Sequence, residues 1–476
     1  MKKNTHSTSP AKKEGNKPKV GQMLELAITS MNDDGFGVSC HESTTILIAG
    51  SLPGETVRAK VSYVGRRETF AALAKIIKTS PERVAHPSCD KSSCDGCPLM
   101  QMKYSAQLAW KQRLVTRFIR RYKTLEKAAL HEVIPSPRQL HYRNSAKLVV
   151  AGKFADPVIG IYRRNSHEVL DVTGCAVHHP LIDKVIVAVR AGIKKGKVPI
   201  YNPKSQMGLL RYLVVRVSES ENRAMVIFVT AERSYNELHH LAKHLRNTVP
   251  EVGVIAQNVN GSQGNVILGQ KDYFITKEQV LSATLGDTSF LISPRSFFQI
   301  NSGSARIIYE KVREWGGLTG TDKVLDLYCG IGGISLFLAR QCKEVIGIEA
   351  VDAAVADAEK NAQLNGIGNC RFMAGDVAKL IEEVGEDGKK VDMVVLNPPR
   401  KGCDEQVLKK AAALAPARIV YVSCSPDTLA RDLNLLHGLG YQTGEIQPVD
   451  MFPQTPHVEN VALLIKSGSQ NPAGRR

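Results

Sequence analysis

Apolar residues in this chain change their period along its length, and each change marks a different kind of structure. From Val20 to about Ser80 they come in short β-like runs: MLELAIT, NDDGFGVSC, TTILIAG, SLPGETVRAKVSYV and FAALAKIIK, with turn residues between. Five strands in so short a span predict a small barrel of the oligonucleotide-binding type. Tyr104 to about Leu130 takes helical spacing and is basic, with Lys111, Arg113, Arg117, Arg120, Arg121 and Lys123. Tyr142 to about Thr230 returns to strand-rich runs, HYRNSAKLVV, VIGIYRRNSHEVLDV, LLRYLVVRVS and AMVIFVT. After the Pro-interrupted segment FLISPRSFFQIN (290–301), a helix is predicted over Ser302 to Trp315, and strands and helices then alternate.

The alternating part is organised around VLDLYCGIGGISLFLAR, 324–340. An apolar run reaching Asp326 passes through Gly330, Gly332 and Gly333 into apolar residues at helical spacing, which reads as strand, turn, helix. Glycines there let a ligand approach the backbone and its free amide N–H groups. The next strand, Glu344 to Ile348, ends in Glu349, where a carboxylate can accept ribose hydroxyls. The turn is GIGG and not G-x-G-x-x-G, and Asp326 can meet a cationic amino group, so S-adenosylmethionine is favoured over a nicotinamide cofactor.

Further along, Asp376 follows a third strand, near an expected adenine edge. VDMVVLNPPRKG sets Asn397 just past a buried strand in a Pro-stiffened loop. ARIVYVSCSPDTLARD puts Cys424 at the end of another, beside a helix start that favours thiolate. In DMFPQTPHVENVALL, His457 and Glu459 occupy a Pro-bounded turn before the last strand. Gln299 is a polar side chain among apolar neighbours, suited to capping or to a ligand.

Composition sharpens the picture. Sixty-three Lys and Arg against 46 Asp and Glu give a net charge of +17, which points to a polyanionic partner, most often nucleic acid. Residues 1–19 read as a disordered basic tail. Lys60, Arg66, Arg67 and Lys75 on the barrel, and Arg143, Lys147, Arg163, Arg164 and Arg211 mixed with Tyr142, Tyr162 and Tyr212, offer charge and stacking surfaces to single-stranded RNA. No apolar run approaches the roughly 18 residues that span a bilayer, and the N-terminus lacks a signal-peptide core, so a cytoplasmic protein is expected. Its ten cysteines should then be reduced, so that clusters mean metal or catalysis. HPSCDKSSCDGCPLMQM holds Cys89, Cys94 and Cys97; a fourth ligand must come from elsewhere, with Cys175 ahead of His178 and His179. Spacing leaves zinc and an iron–sulfur cluster equally open.

Six ordered motifs, SFFQIN, DLYCGIGG, IGIEAV, LNPPRKG, VYVSCSPDT and DMFPQTPHVE, together with the cysteine set, resemble the RNA uridine-5-methyltransferase family from about Val20 to Ile465. The resemblance implies a TRAM-type barrel, a [4Fe–4S] cluster on Cys89, Cys94, Cys97 and Cys175, and S-adenosylmethionine as methyl donor. It further implies cofactor or base contacts for Gln299, Tyr328, Glu349, Asp376 and Asn397, with Gly330 and Gly333 in the cofactor turn, Cys424 as nucleophile and Glu459 as base. Where several members carry Asp, this chain has Asn397, and the Cys89 to Cys94 spacing is tighter than in some relatives. The substrate it implies is 23S rRNA ahead of tRNA.

The expected organisation is therefore multidomain, β and α/β. It comprises the tail 1–19, a barrel over 20–80 and a β-rich iron–sulfur and RNA-binding domain over 81–289, its 104–130 helix set against the catalytic part. A Rossmann-like methyltransferase domain over 290–468 and a tail over 469–476 complete it. A monomer is expected. Two rivals stand beside this: a nicotinamide oxidoreductase, which would leave Cys424 without a role, and a noncatalytic RNA-binding or assembly factor, in which the catalytic motifs should be eroded.

Overall fold

The computed structural model describes residues 18–66, 68–89, 94–164, 166–264, 266–386 and 390–468. The tails expected at 1–19 and 469–476 fall outside them apart from Pro18 and Lys19, as does Arg67. The chain forms two compact units, one of Met1–Ala106 with Gln454–Pro456, the other of Gln107–Pro453 with His457–Arg476.

In the first unit six strands, one more than the pattern predicts, form a single sheet. Its spatial order is Met23–Ala27, Thr56–Val64, Thr69–Lys78, Thr44–Ile48, Gly37–His41 and Ser30–Met31. Alternation does the folding: Leu24 and Leu26 point inward from the first strand, and Val57, Ala59 and Val61 from the second. Thr29 N–H, two residues past the first strand, donates to the Val38 carbonyl at 2.9 Å, so the two sides of the sheet curl together. Lys60, Arg66 and Lys75 are exposed on it. The expected boundary at residue 80 is no break here. Buried Glu55 accepts from Leu52 and Ser80 N–H and pairs with Arg83 Nε at 2.6 Å, tying the following segment to the sheet.

The second unit holds two large sheets. The first runs in the order Val169–Asp171, Asp156–Tyr162, Ser145–Lys153, Leu210–Ser218, Arg223–Thr230, Val252–Val259 and Lys271–Phe274. One face is covered by the helices Pro180–Gly196 and Asn236–Thr248. The opposite face gives Val214, Met225, Ile227, Val229, Val254 and Ala256 to a core shared with the catalytic elements. The division expected between 289 and 290 falls inside the hairpin Leu281–Leu285 with Thr288–Ile292, whose Leu281, Phe290 and Ile292 belong to that core. Two residues expected to face RNA turn inward instead. Tyr142 is 1% exposed and its hydroxyl donates to the Pro453 carbonyl at 2.9 Å. Arg211 is buried against Tyr201 and Tyr212 and donates to the carbonyls of Asn260 and Ser262. Lys147 and Tyr162 remain exposed.

The other sheet has the order Cys370–Ala374, Glu344–Glu349, Lys323–Leu327, Met393–Leu396, Arg418–Ser423, Glu459–Lys466, Tyr441–Val449 and Ala129–Leu130. The first five strands are parallel, and their near-continuous Val, Ile and Leu suit a sheet covered on both faces. Glu459–Lys466 runs antiparallel between its neighbours. Chain order reverses at Lys323–Leu327, with the next strands on one side and Met393–Leu396 on the other. In such sheets ligands sit outside the carboxyl ends of the strands at the reversal. Among the described residues no helix is long and apolar enough to cross a membrane.

Candidate active site

The turn after Lys323–Leu327 is built from backbone conformations that few side chains tolerate. Tyr328, Gly330 and Gly332 have φ of +64°, +57° and +83°. For Tyr328 the left-handed region costs about 1–2 kcal/mol, offset in part by a hydrogen bond between its hydroxyl and the Cys403 thiol. Nothing lies within 4 Å of the place where a Gly330 Cβ would stand, so the backbone there is open to a ligand. At Gly333 a Cβ would come 2.6 Å from the Tyr309 hydroxyl, which in turn is bonded to Gln299.

Asp326 sits inside the strand rather than at its end, fully buried. Its Oδ2 accepts from Ser335 Oγ at 2.6 Å, while Oδ1 is buried with no hydrogen-bond partner. Burial pushes its carboxyl up to about 7, opposed by Ser335. A buried acid with an orphaned oxygen is half of an ion pair, and a ligand ammonium would complete it. Asp326, Gln299, Tyr328, Gly330, Gly333 and Asn397 line one cleft. Glu349, half-buried, accepts Gly330 N–H and Val351 N–H at 3.1 Å each, one per oxygen, which fixes the carboxylate and leaves lone pairs for ribose hydroxyls. Asp376 is exposed and caps the helix Val377–Glu386, accepting Lys379 N–H at 3.0 Å. These residues fit a nucleoside bearing an amino-acid tail.

Register brings the other predicted pair together. Ser423 pairs with Asn460 across the antiparallel ladder, so the next positions, Cys424 and Glu459, are neighbours. Cys424 is half-buried with a free thiol. Burial pushes that thiol up, the Glu459 charge adds to the effect, and Arg400 opposes both by charge and by a hydrogen bond. Glu459 is 8% exposed. Burial lifts its carboxyl to about 7, with Arg400 pulling the other way. His457 is exposed and lies edge-on to Phe452.

Arg400 is the side chain that the sequence pattern did not single out. Its signal was the basic end of LNPPRKG, and its neighbourhood comes from long-range packing. Three helix side chains hold its loop. Asp432 accepts from Cys403 N–H at 2.9 Å and Tyr421 Oη at 2.6 Å, Arg431 donates to the carbonyls of Lys401 and Cys403, and Thr428 donates to the Arg400 carbonyl at 3.3 Å. Gly402, at φ +77°, leaves room for Arg431. Phe297, also unmarked by the pattern, is 70% exposed at the lip of the cleft.

The turn leading to Glu459 is stapled from far along the chain. Lys111, expected on a basic helix surface, is fully buried and meets Asp450 Oδ1 at 2.5 Å and the Phe452 carbonyl at 3.0 Å. Asn301 donates to the Met451 carbonyl at 2.9 Å, and Ser304 to that of Asp450 at 3.0 Å. Breaking a buried pair by removing one partner costs about 3–5 kcal/mol, so this turn is strongly held.

Cys89, Cys94 and Cys97, half-buried and in no disulfide, lie in the first unit; Cys175, likewise half-buried and in no disulfide, lies in the second. Burial pushes the Cys175 thiol up, opposed by the N–H groups of Val177 and His178 aimed at its sulfur. Among the described residues no three His, Cys, Asp or Glu side chains converge as ligands of one ion. The donor chemistry suits iron or zinc, and Asp90–Ser93, between the first two cysteines, lies outside the described residues.

Residues 103–467 match the model of the tRNA (uracil-5-)-methyltransferase family. An uncharacterized RNA methyltransferase of Geobacter sulfurreducens is 60% identical, over 96% of this chain and 92% of its own length. Another from Halalkalibacterium halodurans is 38% identical, over 93% and 96%. Among solved structures, the Pyrococcus abyssi tRNA (uracil-54, C5)-methyltransferase in complex with S-adenosyl-L-homocysteine is similar with a TM-score of 0.76. It is 30% identical, covering 93% of this chain and 100% of that one. The chain belongs to the tRNA (uracil-5-)-methyltransferase family of RNA methyltransferases.

Proposed function

We propose that the protein methylates C5 of a specific uridine in RNA through a covalent Cys424 adduct. The observation that carries this reading is the trio at the strand ends: a free thiol, a carboxyl with a pKa of about 7, and Arg400 acting on both. C5 of uracil is a poor nucleophile. Bonding of Cys424 sulfur to C6 moves the C5–C6 π electrons toward O4, and C5 becomes an enolate carbon. S-adenosylmethionine, when bound, supplies the methyl group. Asp326, Tyr328, Gly330, Gly333, Glu349 and Asp376 would hold it, the first against its ammonium and Glu349 against its ribose. Glu459 then takes the C5 proton, the electrons re-form the C5–C6 double bond, and the Cys424 sulfur leaves as thiolate. Gln299 and Asn397 orient the base edge, and Phe297 offers an exposed ring for the flipped uracil to stack on.

Both groups must be ionised to act, so the rate should rise with pH through about 7 as Glu459 deprotonates and go on rising with the Cys424 thiolate. Arg400→Gln removes the charge that opposes burial at both. The alkylation of Cys424 by iodoacetamide, followed by peptide mass against pH, should shift its midpoint upward. Methylation at pH 7.5 should fall roughly 10–100-fold. An unchanged alkylation profile would remove Arg400 from the mechanism.

For the substrate, large-subunit 23S rRNA is the reading that the TRAM-type barrel and cysteine set favour. The second reading is tRNA. It gains from the family match and from the archaeal tRNA enzyme, which covers 93% of this chain, so the barrel region does not separate the two. Methylation of 23S rRNA fragments and of unmodified tRNA, mapped by nuclease digestion and mass spectrometry, decides between them. Methyl on neither uridine population would overturn the function. The cysteine set would hold a [4Fe–4S] cluster. Protein purified without air should carry about four irons and four sulfides per chain; iron-free protein with zinc would reassign the metal.

A further inference from the structure

Between Tyr104 and Lys127 the chain has seven Lys or Arg and one acidic residue, Glu126. Lys111 is turned into the core and spent on Asp450. The other six stay exposed. On the helix Tyr104–Ile119, Arg113 and Arg117 follow at i and i+4, and Arg120 continues the same ridge at i+7 just past its end, steps of about 6 and about 4.5 Å along the axis. A helix C-terminus favours a cation at Arg117 but not at Arg113, more than a turn earlier. Three of the exposed guanidiniums, those of Arg117, Arg120 and Arg121, are held in place. Arg117 and Arg121 stack over the Phe118 ring at 4.9 and 4.3 Å, and Arg120 donates to the Glu126 carbonyl at 2.5 Å.

The ridge ends beside the active site. Arg121 pairs with Asp427 at 2.8 Å, and Thr124 bonds to Asn434, both on the helix Pro426–Gly438 that begins two residues after Cys424. From that helix Arg431 reaches the Lys401 carbonyl, and Lys401 is itself exposed next to Arg400. Arg121, through its partner Asp427, and Arg431, further along the same helix, therefore link the ridge to the loop that carries Arg400 and Lys401. We propose that this face, Arg113, Arg117, Arg120 and Arg121 leading to Lys401, is the track along which the substrate RNA backbone lies as its uridine enters the Cys424 pocket. Preorganised arginines suit phosphate oxygens, and their contact carries no base specificity. The inference rests on the proposed RNA methylation.

The test compares RNA affinity against salt for the full-length protein, an R113Q/R117Q/R120Q variant and a K194Q/K195Q/K197Q variant. The second variant loses three charges at the end of the helix Pro180–Gly196. Each lost phosphate contact should reduce the slope of log affinity on log salt by about 0.7, so the arginine variant should lose about 2 from it. Its KM for RNA should rise more than its kcat falls, and the lysine variant should match wild type. Equal slopes for wild type and arginine variant, or equal losses in both variants, would reduce the ridge to net charge and overturn the track. Wild-type protein that binds neither rRNA fragments nor tRNA would overturn the functional reading and the track with it.

Discussion

Cys424→Ala protein is expected to show no measurable methyl transfer, a loss of more than about 10⁴-fold, because without a bond to C6 the uracil C5 has no enolate character. RNA affinity should be kept, since a half-buried thiol at a strand end contributes little to binding. The change is also mild for the fold. The neighbouring strand Arg418–Ser423 is fully buried, while Cys424 itself begins the turn, and Ser425 rather than the thiol caps the next helix. Methylation by radiolabel transfer and RNA affinity by filter binding give the two readouts. Turnover above a thousandth of wild type would remove the covalent mechanism.

The second large effect concerns Glu459. Glu459→Gln should still permit addition and a single methyl transfer, then stop, because the C5 proton has no acceptor and the thiolate cannot be expelled. Turnover should fall about 10²–10⁴-fold while methylated RNA accumulates covalently on the protein. The stability consequence has the opposite sign. The folded carboxyl lies near 7 against an ordinary value of 4.5, so it favours folding below about pH 4.5 and loses that contribution as pH rises through 7. The glutamine variant should therefore be relatively more stable at pH 8 than at pH 5, read by thermal melting at both. Normal turnover without adduct would hand the base role to another group.

The local pattern of the chain went far toward this site, and its failures have physical causes. The glycine turn, the strand-end carboxylate Glu349 and the thiol at Cys424 are local in sequence, each fixed by a strand, a turn and a helix start within about 20 residues. Their convergence follows from the strand order, since a parallel sheet brings all its carboxyl ends to one side. The groups that tune them were harder to find. Arg400 acts on Cys424 and Glu459 across 24 and 59 positions, and only packing reveals that. Lys111 looked like one more basic helix residue because a charge pattern does not reveal a partner 339 positions away. Tyr142 looked like a stacking surface for the same reason; its hydroxyl partner is the Pro453 carbonyl. The domain border near 289 failed differently. A hairpin turn resembles a linker in composition, but its strands deliver Leu281 and Phe290 to a core shared by two sheets.

The organisation that results is economical in moving parts. Cys424, Glu459 and Arg400 stand on adjacent strand ends and one clamped loop, and buried polar groups from two remote segments fix the turn before Glu459. Preorganisation of this kind places the reacting atoms before the substrate arrives. Asp326 is the exception, a buried acid whose free oxygen awaits a cation.

The most direct test of the covalent mechanism uses RNA in which 5-fluorouridine replaces uridine, incubated with the protein and S-adenosylmethionine and run on a denaturing gel. Fluorine at C5 cannot leave as a proton does, so the account predicts a stable protein–RNA adduct with rRNA fragments or tRNA, with the RNA joined at Cys424 and the adduct absent from the Cys424→Ala protein. No adduct with either RNA from protein that binds both RNA and cofactor, or an adduct that survives in Cys424→Ala, would contradict it.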